Sequence, residues 1–280
     1  MVDYMGEDAD VMIALHAWRS ADAIQRFARE HPQRKLIVAI TGTDAYRFMH
    51  SHAETTLRSI ELADALVGLH DLIHLTLPRN QRHKMHVIFQ SAQPITHRQP
   101  YQRFFHVSVM GHLREEKDPM RPALAARHLP QDSRIRIHQY GKAHSPQWAE
   151  VARKEMEGNA RYTWHGEVPH YKIRQVYRRT HLLVLPSRME GGANVISEAV
   201  VAGVPVVASD IDGTTGLLGI DYPGYYPLED ELALCDLLYR CETDTSFYQT
   251  LQQACRRKQA LFTPQAEEAS WRKLLHVLTH

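Results

Sequence analysis

Residues 182–198 read Leu-Leu-Val-Leu-Pro-Ser-Arg-Met-Glu-Gly-Gly-Ala-Asn-Val-Ile-Ser-Glu. The first four residues form a short apolar run that ends at Pro186, a pattern typical of a buried parallel strand. From Asn194 onward, apolar residues recur at helical spacing as far as Gly203, which marks a helix end. The stretch therefore predicts a strand, a glycine-rich turn and a helix with Asn194 as its N-cap, the repeating unit of doubly wound α/β folds.

The turn between this strand and this helix has the features of a site for a phosphorylated ligand. Amides at the start of a helix and the positive end of its dipole attract a diphosphate, and glycines let the backbone approach it closely. Glu198, about one turn into the helix, is placed to accept two hydrogen bonds from a ribose diol. Glu190, on the loop, is within reach of a hydroxyl of a transferred sugar. The predicted donor-binding residues of this stretch are Gly191, Gly192, Ala193, Asn194 and Glu198, with Glu190 as a catalytic residue.

This stretch, together with Ala202-Gly203-Val204-Pro205-Val206-Val207, resembles the C-terminal half of GT-B glycosyltransferases of the family 4 type. In that family, two glutamates at this spacing hold the donor nucleotide-sugar. The resemblance implies an α/β GT-B fold, in which two Rossmann-like doubly wound domains face a cleft.

Apolar runs of strand length recur along the rest of the chain and agree with that fold. Runs at 11–15 and 36–40 flank a helical stretch over 20–30 and predict one β-α-β unit, which further runs at 62–69 and 84–89 continue. A second set at 105–111, 133–140, 162–166, 182–185 and 204–209 predicts the second domain. We expect an N-terminal acceptor-side domain over 1–98 that lacks the usual first strand and a UDP-sugar-binding domain over 99–263. A C-terminal helix over 264–280 is expected to cross back to the first domain.

Cationic side chains follow the first strand of the second set. Arg114 and Lys117 come shortly after Gly111, where either is placed to neutralise the leaving diphosphate, and both are predicted catalytic residues. Family 4 enzymes commonly have an arginine directly after this glycine and a lysine six positions after it. Lys117 matches, whereas His112 occupies the arginine position. Gly111 and Gly166, at the ends of two strands, complete the predicted donor site.

Five blocks of sequence, in this order, resemble one subgroup, the selenosugar synthases of selenoneine biosynthesis. The blocks are Ala14–Ala21, Thr41–Tyr46, Gly111–Pro119, Met189–Asn194 and Ile211–Gly219. The resemblance implies transfer of N-acetylglucosamine from UDP-N-acetylglucosamine to selenophosphate, with release of UDP and formation of a selenosugar. Selenophosphate is already ionised and strongly nucleophilic near neutral pH, so such a reaction needs no general base.

Residues of the first domain agree with an anionic acceptor. His16, Arg19 and Ser20 follow one strand and open a helix, and Thr43 with Asp44 follows the next strand. Two helix N-termini and a cation at one edge of a sheet suit a phosphate-bearing nucleophile. We therefore predict Arg19, Ser20, Thr43 and Asp44 as acceptor-binding residues and His16 as a catalytic residue. Packing alone also accounts for His16, and helix capping alone for Thr43 and Asp44.

The composition limits the other functions open to the chain. The formal net charge is +1, from 33 Lys+Arg and 32 Asp+Glu, so no basic surplus favours nucleic acid. The 19 histidines are scattered, and Asp8-Ala9-Asp10 and Asp210-Ile211-Asp212 match the metal-binding Asp-x-Asp pattern only weakly, so we expect no metal and no cofactor. Three cysteines without a Cys-x-x-Cys pair, acidic residues near the start and no long apolar run predict a cytoplasmic protein without a membrane partner.

Two other functions stay open on the sequence. One is a family 4 glycosyltransferase that uses a hydroxyl acceptor. The other is an inactive sugar-nucleotide-binding module, which the shortened first domain suggests. UDP release with selenophosphate as acceptor is expected of the selenosugar reaction and of neither alternative. The anomeric outcome, the exact donor sugar and the oligomeric state are not predicted from the sequence.

Overall fold

The computed structural model describes residues 9–279. These residues divide into two compact units. Unit 1 comprises residues 9–90, 190–192 and 265–279, and unit 2 comprises residues 91–189 and 193–264. Each unit has one parallel sheet, so the predicted α/β class with two parallel-sheet domains is confirmed.

Helices alternate with strands along most of the described chain. The strands are β1 (Val11–Leu15), β2 (Lys35–Ala39), β3 (Ala65–Gly68), β4 (Met85–Val87), β5 (Phe105–Met110), β6 (Ile135–Tyr140), β7 (Tyr162–Trp164), β8 (Leu182–Leu185), β9 (Val206–Ser209) and β10 (Tyr225–Tyr226). The α-helices are α1 (Ala21–Glu30), α2 (Met49–Ser51), α3 (Ala53–Leu62), α4 (Arg121–Arg127), α5 (Pro146–Gly158), α6 (His170–Arg179), α7 (Asn194–Val201), α8 (Asp212–Leu218), α9 (Glu231–Thr243), α10 (Thr245–Lys258) and α11 (Pro264–Thr279).

The sheet of unit 1 is parallel in the order β1-β2-β3-β4, and both of its faces are covered. Because successive strand residues point to opposite faces, the apolar runs of β2 and β3 supply two cores. Val38 and Leu66 pack in a core that includes Ile24 and Phe27 of α1.

The other face of this sheet packs against the last helix. Ile37 and Val67 lie in a second core with Leu274 of α11, and Trp271 packs against it. Val277, near the end of the same helix, is exposed and does not join this core. The packing of α11 explains why the final helix groups with unit 1.

The sheet of unit 2 is parallel in the order β10-β9-β8-β5-β6-β7. The chain runs outward from β5 through β6 to β7, then returns to β8 on the other side of β5. This change of direction makes the neighbouring carboxyl ends of β5 and β8 a topological switch point, the usual ligand site of open α/β sheets.

The unit boundaries differ from the sequence-based ones in two places. Residues 91–98 group with unit 2, because the Ala92 amide donates to the Phe262 carbonyl at 3.0 Å and the Arg98 guanidinium donates to the carbonyls of Thr180 and Gly203. Residues 190–192, within the predicted donor domain, group with unit 1.

Several strands are shorter than the apolar runs that predicted them. The run at 62–69 begins inside a helix, since α3 continues to Leu62, and β3 starts only at Ala65. The run at 204–209 begins in a turn, because the Gly203 and Val204 amides donate to carbonyls of α7 before β9 starts at Val206. Apolar residues in a strand and in the adjoining buried turn look alike in sequence.

Candidate functional site

Two loops meet at the switch point of unit 2. The loop after β5 carries Arg114 and Lys117, and the loop after β8 leads to the glycine-rich turn. The Arg188 amide of the second loop donates to the Glu116 carbonyl of the first at 2.9 Å. The strand order therefore brings together the two segments that the sequence identified as facing the diphosphate.

Glu198, on α7, lies at the centre of a hydrogen-bond cluster. Its Oε2 accepts from the Tyr177 hydroxyl at 3.1 Å, and its Oε1 accepts from the Asn194 amide at 3.3 Å and lies 3.3 Å from Nε2 of His170. The Glu198 side chain is only 17% exposed, whereas that of His170 is 80% exposed. The carboxylate is thus held from within the protein, with its contact to His170 at the surface.

The predicted capping role of Asn194 is wrong. The N-cap of α7 is Ala193, which has no side chain able to cap, and Asn194 is the first helical residue. Its amide nitrogen reaches one turn forward to Glu198, as residues four apart on a helix do. Its Oδ1 is buried and has no hydrogen-bond partner in the described part of the chain.

A cavity of about 300 Å³ opens beside this cluster, entirely within unit 2. Its wall includes Tyr177, Asn194 and Glu198 together with His170 and Arg174. Residues 91–93 and 95 line another side, next to the point where Arg174 donates to the Pro94 carbonyl at 3.0 Å. The volume lies at the lower end of the range for small-molecule pockets.

The cationic loop, which carries Arg114 and Lys117, directly follows β5, the first strand of unit 2. Arg114 is extended and only partly exposed, with Nε 3.9 Å from a Glu116 carboxylate oxygen, and Lys117 ends a short 3-10 turn. The aliphatic stem of Lys117 passes close to Gly111. His112, which stands in the arginine position, accepts from the Lys142 amide at 3.2 Å. Burial, followed by the neighbouring charges of His144 and Arg114, lowers its pKa, so a neutral imidazole is favoured there.

Gly141, which follows β6, is a site residue that the sequence reading missed. A Cβ atom at this position would lie 2.0 Å from the Gly111 carbonyl oxygen, so only glycine lets the two loops touch. The Gly141 amide also donates to the Gly166 carbonyl at 2.8 Å. A glycine directly after each of β5 and β6 is the signal in the sequence that points to it.

In unit 1, His16 and Asp44 form a hydrogen-bonded pair with Thr41. Nδ1 of His16 lies 2.8 Å from Oγ1 of Thr41 and 3.2 Å from Oδ2 of Asp44. The same carboxylate accepts from the Thr41 hydroxyl and from the Thr41 and Trp18 amides. Burial raises the pKa of Asp44, but the hydrogen bonds from His16, Thr41 and Trp18 outweigh it, so the pKa lies below its ordinary value. Asp44 is therefore a buried carboxylate that orients its neighbours, and Thr41 is a second residue that the sequence reading missed.

The remaining predicted acceptor residues surround this pair. His16 has a φ of 75°, a left-handed conformation that is uncommon for any residue other than glycine. Arg19 is exposed, and Thr43 lies 3.2 Å from the Thr41 hydroxyl. The alternative that Thr43 acts only as a helix cap is wrong, because its side chain makes no capping hydrogen bond. The Ser20 hydroxyl donates to the Leu15 carbonyl.

Glu190 and the following two glycines lie against the same region of unit 1. Glu190 is buried. A Cβ atom on Gly191 would lie 1.9 Å from the Gly42 nitrogen, so the two backbones are in direct contact. Within unit 1, this contact brings Glu190 next to the turn that carries Thr41 and Thr43.

Two further observations concern metals and membranes. Asp8 of the first Asp-x-Asp match lies outside the described residues, and Asp210 of the second accepts from the Thr215 hydroxyl at 3.3 Å. Within residues 9–279, no group of three or more His, Cys, Asp or Glu side chains is arranged to hold a metal ion. In the same range, no helix has both the length and the apolar character needed to cross a bilayer.

Comparison with known sequences identifies one family over part of the chain. Residues 98–226 match the family of glycosyl transferases group 1, a segment that covers β5 to β10 and therefore the switch point. A teichuronic acid biosynthesis glycosyltransferase, TuaC of Bacillus subtilis (strain 168), is 39% identical over 54 residues. The aligned part makes up 19% of this chain and 14% of that relative.

Solved structures resemble nearly the whole chain. Anabaena Alr3699/HepE, in complex with UDP and glucose, has a TM-score of 0.75 at 17% identity, over 96% of this chain and 78% of that one. Sucrose-phosphate synthase from Thermosynechococcus elongatus has a TM-score of 0.75 at 19% identity, over 96% and 73%. At these identities the likeness establishes the fold. The chain accordingly has the two-domain α/β GT-B glycosyltransferase fold with parallel sheets, and within it residues 98–226 match the family of glycosyl transferases group 1.

Proposed function

We propose that this chain is a glycosyltransferase that moves N-acetylglucosamine from a UDP-sugar to selenophosphate. The observation that carries the donor half is the position of Glu198: one turn into α7, beside the switch point, in the wall of a 300 Å³ cavity. The group 1 match over the same residues and the UDP bound to Anabaena Alr3699/HepE support a UDP-sugar as donor. The five sequence blocks support selenophosphate as acceptor.

The donor roles follow from the chemistry of a nucleoside diphosphate sugar. Glu198 accepts hydrogen bonds from the ribose hydroxyls, and Asn194 offers the free acceptor Oδ1 beside it. The amides that open α7 and the side chains of Arg114 and Lys117 hold the diphosphate. Glu190 binds the transferred sugar.

The reaction needs alignment and stabilisation of the leaving group more than proton transfer. Selenium attacks the anomeric carbon of the sugar, and a C–Se bond forms as the bond from that carbon to the UDP oxygen breaks. The bonding pair leaves with UDP, and Arg114 and Lys117 stabilise the negative charge that develops on the diphosphate. His16, held by Asp44, together with Arg19, Ser20 and Thr43, binds the phosphate group of the acceptor.

We propose that no metal and no cofactor takes part. The phosphate charge that a divalent ion would neutralise is assigned here to two cationic side chains and a helix N-terminus. Asp210 and Asp212 are then structural residues of the turn into α8.

A second candidate function has an observation in its favour. A histidine that is oriented by a buried carboxylate is the usual arrangement of a general base, and His16 with Asp44 has that geometry. A hydroxyl acceptor needs such a base, whereas selenophosphate does not. The His16–Asp44 pair therefore favours the family 4 alternative, a glycosyltransferase that acts on a hydroxyl.

One experiment separates these functions. The protein is incubated with UDP-N-acetylglucosamine and with selenophosphate, thiophosphate, or a panel of sugars and alcohols, while UDP release is followed and the product is weighed by mass spectrometry. We expect UDP release and a selenium-containing sugar with selenophosphate, slower release with thiophosphate, and none with hydroxyl acceptors. Heat-inactivated protein controls for the intrinsic reactivity of selenophosphate.

The other outcomes each contradict a stated part of the proposal. Transfer to a hydroxyl without transfer to selenophosphate leaves only the family 4 function. Binding of UDP without release from any donor leaves a sugar-nucleotide-binding module. Turnover of UDP-glucose but not of UDP-N-acetylglucosamine contradicts N-acetylglucosamine as the transferred sugar.

A further inference from the structure

Tyr177 makes a contact that nucleotide binding alone does not require. It lies on α6 and is buried, with only 1% of its surface exposed, yet its hydroxyl reaches the α7 carboxylate of Glu198 at 3.1 Å. The same hydroxyl lies 3.2 Å from the Val195 carbonyl. A buried phenol with a polar partner on a neighbouring helix fixes that partner more firmly than an exposed side chain does.

The phenol keeps its proton under all ordinary conditions. Burial, followed by the adjacent charge of Glu198, raises the pKa of Tyr177 well above its usual value. The hydroxyl therefore acts as a hydrogen-bond donor, and the carboxylate oxygen accepts. A donor of this kind compensates part of the cost of keeping a charged group only 17% exposed.

The two oxygens of Glu198 have different surroundings. Oε2 faces Tyr177, whereas Oε1 contacts the half-buried Asn194 and the 80% exposed His170. A ligand in the cavity displaces a surface contact such as His170 more readily than a buried one. The hydrogen bond from Tyr177 to Oε2 therefore leaves Oε1 on the side where a ligand can displace His170.

We propose that Tyr177 is a positioning residue for nucleotide recognition: its hydroxyl locks Glu198 in the orientation that receives the two hydroxyls of a ribose. The inference rests on the proposed function, because it assumes that a UDP ribose is the group that Glu198 binds. Without this lock, Glu198 pays side-chain entropy on binding and meets the diol in a mixture of orientations.

The test compares two conservative substitutions of buried tyrosines in unit 2. Tyr177→Phe removes only the hydroxyl that reaches Glu198. Tyr222→Phe is the matched control, since Tyr222 is also buried and its hydroxyl bonds the Val206 backbone and Cys255, none of which lines the cavity. Both variants lose a buried hydrogen bond, so a general loss of packing affects both.

Calorimetry measures the binding of UDP and of 2′,3′-dideoxy-UDP, which lacks the diol. We expect wild type and Tyr222→Phe to prefer UDP by about tenfold or more, and Tyr177→Phe to lose most of that preference. In a Glu198→Ala background, Tyr177→Phe is expected to change UDP affinity by less than about twofold, because the two residues act as one unit.

Three results overturn the inference. The first is an equal loss of affinity for both nucleotides in Tyr177→Phe, which is a structural effect, and the second is full additivity with Glu198→Ala. If Tyr177→Phe does not fold, Glu198→Asp tests the same contact, because its side chain is one methylene too short to reach Tyr177. The third overturning result is that Glu198→Asp keeps the preference for UDP over 2′,3′-dideoxy-UDP. A wild type that binds no UDP refutes the proposed function, whereas a wild type that binds UDP with an unaffected Tyr177→Phe refutes only the role of Tyr177.

Discussion

Glu198 is a partly buried carboxylate with three polar neighbours and a cavity beside it. Replacement by alanine removes the proposed acceptor of the ribose hydroxyls, and loss of this paired contact to a charged group is expected to cost about 1.5–3 kcal/mol in total. We expect the Kd for UDP in Glu198→Ala to rise by about 10- to 150-fold, as calorimetry measures it. Glu150→Ala, at an exposed position of α5, is the control and leaves affinity unchanged. Unchanged affinity in Glu198→Ala would place the nucleotide elsewhere.

Gly191 packs backbone to backbone against Gly42. A methyl group at Gly191 would lie 1.9 Å from the Gly42 nitrogen and 2.3 Å from its Cα, so one of the two segments has to move. Gly191→Ala should therefore destabilise the protein by about 1–3 kcal/mol, the usual cost of overpacking, and lower the midpoint of thermal unfolding. Gly158→Ala is the control.

Gly158 ends α5, and a Cβ atom there meets nothing within 4 Å. Alanine at this position restricts the unfolded chain without a clash, so a neutral effect or a gain of up to about 1 kcal/mol is expected. An equal midpoint for Gly191→Ala and Gly158→Ala would contradict the close contact at Gly42.

At the level of single residues, the sequence predicts which residues belong to the candidate site better than it predicts the hydrogen-bond partners of those residues. Glu198 stands out because it follows a strand, a glycine pair and a helix start within one short stretch. Asn194 has the right residue type for a cap, but the carboxylate one turn away takes its amide. Thr41 and Gly42 become recognisable as site residues only once strands distant in sequence lie side by side, because each acts through a contact with another loop.

At the level of elements, apolar runs locate the parallel strands because both faces of such sheets are buried. The same property blurs their ends, as at 62–69 and 204–209. The second predicted helix N-terminus in unit 1 is a π-helical turn over Asp44–Phe48. At this irregular start the buried carboxylate of Asp44 accepts from the backbone amides of Trp18 and Thr41, a contact that no local periodicity reveals.

Histidines on neighbouring strands of unit 2 make a row that runs from the buried His106 to the exposed His165. His106 on β5 stacks at 4.3 Å on His138 of β6, whose Nδ1 lies 2.9 Å from Nε2 of His165, just after β7. Neither ring nitrogen of His106 has a hydrogen-bond partner among the described residues. Burial and then the neighbouring histidines lower the pKa of His106 to about 2 and that of His138 to about 4.

These pKa values predict a protein that loses stability in mild acid. Below about pH 6.5 these histidines bind protons in the unfolded chain but stay neutral in the folded protein. The free energy of unfolding therefore falls as the pH falls. Each such histidine costs about 2 kcal/mol between pH 7.5 and pH 5. We expect the urea midpoint to drop over this range, and His106→Phe, which cannot titrate, to drop less. Exposed His50→Gln is the control; an equal drop in wild type and His106→Phe would refute the assignment.

At the level of the whole molecule, the sequence predicts only part of the division into two units. Residues 190–192 lie in the middle of a predicted donor domain yet group with unit 1, because the Gly42 contact joins positions about 150 residues apart. The last helix is easier to place. Its apolar spacing predicts a packed face, and the uncovered side of the unit 1 sheet supplies the surface for Leu274.

The charge distribution of the molecule argues for catalysis without a metal ion. The net charge is only +1, so no overall field attracts phosphate, and in our proposal Arg114, Lys117 and the start of α7, all at the switch point, meet the diphosphate charge locally. We expect UDP binding and UDP-sugar turnover to be unchanged in excess EDTA, with EDTA presaturated with calcium as the control for non-specific effects. Loss of turnover in EDTA and its recovery with magnesium or manganese would instead assign an ion to the diphosphate, with Asp210 and Asp212 as the first ligands to test by substitution.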